Sequence, residues 1–228
     1  MLSGEGPTDL GRLDPQGRFE PGPLAKAVSA LVEPEWGYSP LDAGSLVFVE
    51  KARLVETGKA LRSRRMSSFR GRNKPPDAHY FRRNARALAV LAKAGAAKEG
   101  CPVGAVLFRD SDGTNSSSRS LWAAQVESMR QGFADEGFEA FGVPMIPRPK
   151  SEAWLLCRFQ ETPYCNCARF EELPGNDASP NSAKRQLEEA RAVDSDAEVV
   201  WDKVDMPSFA AFKARLKEVA RTMAHASN

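Results

Sequence analysis

Val103-Gly104-Ala105-Val106-Leu107-Phe108-Arg109-Asp110-Ser111-Asp112-Gly113 decides how this chain is read. From Val103 to Phe108 it is apolar almost without a break, as in a central strand covered on both faces. It then stops at two aspartates and a glycine. In open α/β sheets functional groups gather at the carboxyl ends of strands, where loops from neighbouring strands converge. The stretch therefore predicts a mainly parallel sheet with an acidic edge.

Outward from this strand the chain alternates. Upstream, a short strand Met1–Gly4 runs into Glu5-Gly6-Pro7-Thr8-Asp9, and a helix from about Pro23 carries Leu24, Ala27, Val28 and Leu31 on one face. A strand over Ser45–Glu50 follows, then a helix from near His79 that turns Phe81, Ala85, Leu88 and Ala92 inward. Downstream, the spacing of Trp122, Val126, Met129 and Phe133 predicts a helix. A strand over Phe141–Ile146 is stopped by Pro147 and Pro149, and Ser151 reads as the N-cap of a helix through Leu156. Beyond Glu161, prolines and glycine suggest irregular structure around a helix Ser182–Ala192. A terminal amphipathic helix then presents Phe209, Phe212, Leu216, Val219 and Met223. The alternation implies an α/β fold with helices on a parallel sheet: residues 1–160 form the core and 161–228 a helical extension completing the site.

Bulk properties narrow the classes. No apolar run reaches the roughly 18 residues that a membrane-spanning helix needs, so no membrane partner is expected. The N-terminus lacks a basic stretch followed by an apolar one, so a secretory signal is not expected. Cys101, Cys157, Cys165 and Cys167 are too few and too uneven for a disulfide framework, which fits a reducing cytoplasm. Cys165-x-Cys167 lacks the spacer and fourth ligand of a structural zinc site. The net charge is only +2, yet Lys51 to Arg86 is strongly basic, opposed by Glu56 and Asp77 alone. Its residues Arg62, Arg64, Arg65, Arg70, Arg72, Lys74, Arg82, Arg83 and Arg86 are candidates for binding a polyanion. Gly71, Pro75 and Pro76 suggest an exposed loop within it.

The acids supply the chemistry. Glu5 ends the first strand, and Asp110 and Asp112 end the strong one. If those strands are neighbours, three carboxylates meet at one edge. Clustered carboxylates repel unless something positive lies between them. A hard divalent cation does this, taking carboxylate oxygens and leaving its remaining positions to waters and phosphates. Asp-x-Asp-Gly alone also describes an ordinary turn; the pairing with Glu5-Gly6, each after a strand, is what carries information.

Gly4-Glu5-Gly6-Pro7-Thr8-Asp9 resembles the Glu-Gly-x-x-Asp/Glu signature that opens TOPRIM domains, particularly those of the overcoming-lysogenisation-defect nucleases. Leu107-Phe108-Arg109-Asp110-Ser111-Asp112 resembles their strand and Asp-x-Asp. Pro149-Lys150-Ser151-Glu152-Ala153-Trp154-Leu155-Leu156 is similar to the Glu-x-Trp-Leu element of stand-alone TOPRIM-like, including RloB-like, proteins of bacterial defence loci. Ser182-Ala183-Lys184-Arg185 and Pro207-Ser208-Phe209 match their later lysine helix and Pro-x-Phe element. A departure is the first strand, where Ser3 and Gly4 stand in place of two apolar residues.

The resemblance implies a Rossmann-like TOPRIM sheet and phosphodiester cleavage of DNA or RNA assisted by Mg2+ or Mn2+. It implies Glu5, Asp9, Asp110, Asp112 and Glu152 as metal ligands, Glu5 as ligand or general base, and Lys184 or Lys150 as the group that offsets developing charge. It also implies antiviral defence beside a co-encoded ATPase subunit; a homo-oligomer stays open. Trp154 reads as a packing residue.

Two other readings compete. Asp110-Ser111-Asp112-Gly113-Thr114 also resembles the opening of haloacid-dehalogenase-like phosphatases, with Asp110 as nucleophile, although the motif stands here in mid-chain and leaves Glu5 and Glu152 unexplained. The other is a non-catalytic nucleic-acid-binding regulatory subunit on the same fold. Topoisomerase chemistry is not expected, because Tyr38, Tyr80 and Tyr164 lack a suitable context.

Overall fold

The computed structural model describes residues 1–64, 76–111, 119–194 and 198–226, with the backbone alone at 62–64, 76–78 and 119–120. In chain order the elements are β1 (Leu2–Gly4), β2 (Gly11–Leu13), β3 (Phe19–Pro21), α1 (Pro23–Trp36), β4 (Phe48–Val49), α2 (Lys51–Arg64), α3 (Pro76–Glu99), β5 (Ala105–Phe108), α4 (Arg119–Ala134), β6 (Gly142–Met145), α5 (Ser151–Leu156), α6 (Ala183–Val193) and α7 (Pro207–Ala226). A four-stranded sheet has the order β4-β1-β5-β6, and every pairing in it is parallel. The expected α/β class with a parallel sheet and flanking helices is present.

The order contains a topological switch. From β1 the chain passes to β4 on one side, then crosses to β5 on the other, so connections leave β1 and β5 in opposite directions. Open sheets form a crevice at the carboxyl ends of such a pair. Adjacency of the two acid-bearing strands, on which the sequence argument turned, holds: Leu2 pairs with Val106 and Gly4 with Phe108.

Side-chain chemistry explains the short first strand. β5 is buried at every position, and β1 fits beside it only because it is slim. A Cβ on Gly4 would stand 2.6 Å from the Phe108 carbonyl oxygen and 2.9 Å from the Leu10 side chain. Ser3 is fully buried, and its hydroxyl donates to the Val49 carbonyl at 2.8 Å, tying β1 to β4. The two residues that depart from an apolar strand are thus those that let β1 sit between its neighbours.

The described chain packs as two units, discontinuous in sequence: Met1–Phe108 with Ala124–Met145 and Leu216–Asn228, and Arg109–Ala123 with Ile146–Arg215. The first has a core of Leu2, Leu24, Leu31, Phe81, Leu88, Leu107, Phe108, Met129 and Phe133. The second is built around Trp154, Phe170, Leu187, Trp201, Phe209 and Phe212. Among the described residues no helix is long and apolar enough to cross a membrane.

Some expectations change. The hairpin β2–β3 was not foreseen; its strands are too short to show alternation. Its turn is organised by Asp14, whose carboxylate accepts the N–H groups of Gln16 and Arg18 at 2.9 and 2.8 Å and the Arg18 side chain at 2.7 Å. These bonds, that of the Arg18 backbone foremost, hold the Asp14 carboxyl below its usual pKa. Lys51–Arg64, read only as a basic segment, is helical. The helix expected from His79 begins at Pro76, the strand expected over Ser45–Glu50 shrinks to Phe48–Val49, and Gly71 and Pro75 lie outside the described residues. No disulfide framework was expected from four uneven cysteines, yet Cys157 and Cys167 are joined in a disulfide; the intervening turn brings their Cα atoms to 5.1 Å.

Gly4→Ala drives a methyl group into the β1–β5 seam. It is expected to cost about 2 kcal/mol in urea unfolding, as overpacking of a filled core does. A loss below a few tenths of that figure would mean that the seam is looser than described.

Candidate functional site

In the first unit, Glu5 follows β1 and its Oε1 accepts the Lys51 ammonium at 2.7 Å and the Tyr80 hydroxyl at 3.4 Å. The fold supplies both donors: Lys51 opens α2 one residue beyond β4, the parallel neighbour of β1, and Tyr80 lies on α3. Gly6 has φ of 81°, where a side chain would be strained, and a Cβ there would run into the Asp9 carboxylate. Gly6 therefore lets Asp9 fold back over the loop. The Asp9 N–H donates to the Gly6 carbonyl at 3.2 Å, and its own carbonyl accepts the Leu24 N–H at 3.0 Å, pinning the loop to the start of α1.

In the second unit, Arg109-Asp110-Ser111 continues the chain from β5. Ser111 is clasped twice, its N–H donating to Pro147 at 3.3 Å and its hydroxyl to the Pro149 carbonyl at 3.0 Å. Asp110 Oδ1 accepts the backbone N–H of Ser151 at 2.9 Å. An acid here satisfies one of the amides that the first turn of a helix leaves without an intrahelical acceptor. Ser151 was expected to be the N-cap. Instead it is the first residue of α5, Lys150 holds the cap position, and the Ser151 hydroxyl donates to Glu152 Oε2 at 3.4 Å. The physical reason is that Asp110, distant in sequence, does the capping.

Helix α5 is anchored by Trp154, which is wholly buried, stacks on Phe212 and meets Phe209 edge-on; its indole N–H donates to Ser208 at 2.8 Å. Ser208 is held in turn, its N–H donating to buried Glu171 at 2.6 Å. Lys150 donates to Asp177 Oδ1 at 2.8 Å, and Lys184 lies 3.9 Å from Asp177 Oδ2. Both lysines singled out from the sequence thus converge on one carboxylate, which sequence reasoning did not name.

The remaining candidates divide. Asp112, Arg65, Arg70, Arg72 and Lys74 lie outside the described residues, and the side chains of Arg62 and Arg64 are not described. Arg82 makes paired bonds of 2.6 Å to Asp135, and Arg86 approaches Glu136 to 2.6 Å and Asp135 to 3.8 Å. Arg83 lies over the Tyr80 ring at 5.4 Å. Two of the proposed polyanion contacts are therefore already neutralised by acids at the end of α4. Lys51 and Tyr80 were not anticipated as partners of Glu5. The signal was available for Lys51, since it too follows a strand directly.

Among the described residues no group of three or more His, Cys, Asp or Glu side chains is placed to hold a metal ion. The candidate donors are all carboxylates, a set suited to Mg2+ or Mn2+ and unsuited to softer ions. Magnesium commonly takes only one or two protein carboxylates, with waters and substrate phosphates in the rest of its shell.

Asp110→Ala removes the acceptor at the start of α5 and is expected to cost about 1 kcal/mol, the usual worth of such a bond. Asp110→Asn keeps an oxygen there and should cost clearly less; equal losses in chemical denaturation would show that the Ser151 bond contributes nothing. No protein family, curated protein or solved structure matches the chain.

Proposed function

We propose that the chain is a divalent-metal-dependent endonuclease of TOPRIM type, cleaving phosphodiester bonds of DNA or RNA. The observation that supports it best is topological. The sheet changes direction between β1 and β5, and the chain runs from their carboxyl ends directly into Glu5 and into Arg109-Asp110. Glu5, Asp9, Asp110, Asp112 and Glu152 would hold Mg2+ or Mn2+. The bound ion would supply activation of a water and shielding of the leaving oxygen.

The chain's own groups take complementary parts. Lys51 and Tyr80 fix Glu5 Oε1, and the Ser151 amide fixes Asp110 Oδ1, so neither carboxylate has to be ordered when substrate arrives. Lys150 and Lys184 bring positive charge to the unit that contains Asp110. The basic segment from Lys51 to Arg86 would track the nucleic-acid backbone, with its electrostatic part resting on Arg62, Arg64, Arg65, Arg70, Arg72 and Lys74 rather than on Arg82 and Arg86. A role in antiviral defence beside an ATPase belongs to the same proposal and rests on the motif resemblance; the cytoplasmic setting rests on the N-terminal sequence alone, because the Cys157–Cys167 disulfide removes the argument from separate cysteines.

The test incubates pure protein with labelled plasmid and total RNA, with Mg2+ or Mn2+ and with a chelator. Beside it runs the Asp110→Asn/Asp112→Asn variant, which retains the α5 contact. Cleavage is expected only with metal, and to fall on the order of a hundred-fold or more in the variant. Cleavage undiminished in the variant would remove these acids from the reaction. A phosphoaspartate trapped on Asp110 would point to the phosphatase instead, and metal-independent binding without cutting to a regulatory subunit.

A further inference from the structure

We propose that Cys165 is the entry point of a thiol–disulfide relay: exposed to solvent, it exchanges with the buried Cys157–Cys167 bond and so lets an external thiol open a disulfide that the thiol could not reach by itself. The inference lies within the second unit and is independent of the nuclease reading.

The three cysteines differ in access. Cys157 and Cys167, ten positions apart, are bonded to each other and are 0% and 1% exposed. Cys165 is a free thiol and is exposed. Access controls thiol–disulfide exchange, so the bonded pair is closed to a dissolved reductant while Cys165 is open to it.

The chain brings the third sulfur to the other two. The Tyr164 N–H donates to the Cys157 carbonyl at 2.8 Å, and the disulfide ties Cys167 to the same residue. Cys165 lies between these two anchors, one residue from the first and two from the second. Tyr164 and Asn166, which flank it, have φ of 65° and 51°, left-handed values that are uncommon away from glycine. A return of either residue to the ordinary negative range turns the loop and swings Cys165 with it.

A donor selects which sulfur leaves. Gln160 Nε2 donates to Cys167 Sγ at 3.6 Å and to the Cys157 carbonyl at 3.3 Å. The Gln160 carbonyl oxygen accepts Arg169 Nη2 at 2.9 Å, which keeps the amide turned with its N–H groups toward Cys167 and Cys157. Hydrogen bonds to an ionised acceptor are roughly twice as strong as neutral ones, so this donor favours a thiolate on Cys167. Cys167 is therefore the leaving group and Cys157 the sulfur attacked.

The exchange balances. The Cys165 thiolate bonds to Cys157 Sγ, the Cys157–Cys167 bond breaks, and its electron pair leaves on Cys167, with no net oxidation. An external thiol of the glutathione class then attacks Cys165 Sγ, forming a mixed disulfide there and releasing Cys157. A second such thiol frees Cys165. Two thiols become one external disulfide, and their two protons pass to Cys157 and Cys167. Because Cys157 directly follows α5, the bond governs how the chain is held beyond the helix whose first amide donates to Asp110.

The experiment treats the folded full chain with excess reduced glutathione, quenches with acid at intervals, and maps the cysteine pairs by peptide mass spectrometry after alkylation. The parent is expected to show a Cys157–Cys165 pair, and then glutathione on Cys165, before Cys157 and Cys167 become free. Cys165→Ser, at an exposed position, should keep the parental circular dichroism and open about ten-fold more slowly or worse. Cys101→Ser, at the other exposed thiol, should open at the parental rate. Gln160→Leu should slow opening about three-fold and shift the first product toward Cys165–Cys167, a partition that a loss of packing alone would not change. Opening of Cys165→Ser at the parental rate overturns the proposal, as does a parent disulfide that glutathione leaves intact. A parent whose first rearranged pair is Cys165–Cys167 overturns it as well.

Discussion

The close approach of β1 to β5 is the constraint on which the rest of the structure depends. Gly4 lies so near the Phe108 carbonyl that no side chain fits between them, and Ser3 replaces an apolar contact with a hydrogen bond to β4. A bulkier β1 would push the strands apart and disturb the ladder that sets Gly4 opposite Phe108. That register fixes where the chain leaves the sheet toward each acid, since Glu5 follows Gly4 at once and Asp110 follows Phe108 after Arg109. The parallel order then places the change of direction between these strands.

Each unit holds its acids with donors of its own. Glu5 is held by an ammonium and a phenol carried on successive helices, and Asp110 accepts the Ser151 backbone amide. The amide is itself well supported: α5 is pinned by Trp154, Trp154 by Ser208, and Ser208 by Glu171. Partly buried polar groups held this way are costly to move, because breaking one bond leaves another group unsatisfied. The Cys157–Cys167 bond closes the chain directly beyond α5 and adds a covalent limit to its motion. The carboxylates therefore stand on supports that packing makes stiff.

Much of this was legible in the amino-acid order, and the reasons for the remainder are physical. β5 announced itself because a strand buried on both faces must be apolar throughout. The acids at its end were legible because charge directly after such a run demands an explanation. Helix α2 was hidden because its charges leave no clear apolar stripe, and the β2–β3 hairpin because three-residue strands carry no period. A sequence shows the sign of Arg82 and Arg86 but not Asp135 and Glu136, which neutralise them. Asp177 was equally hidden: it lies 27 residues from Lys150 in a loop of prolines and glycine, where an aspartate ordinarily marks only a turn. Ser151 misled for a related reason, since its type suits a cap and the true acceptor comes from Asp110.

The central claim is that acids following β1 and β5 bind a divalent cation, and paramagnetic broadening tests it most directly. Sub-stoichiometric Mn2+ added to the 15N-labelled protein should first erase the amide signals of Gly6, Asp110, Ser111 and Ser151. Gly17 at the hairpin tip should stay sharp, and excess Mg2+ should restore the lost signals. Broadening spread evenly over surface carboxylates, with Asp110 and Ser151 spared, would contradict the account.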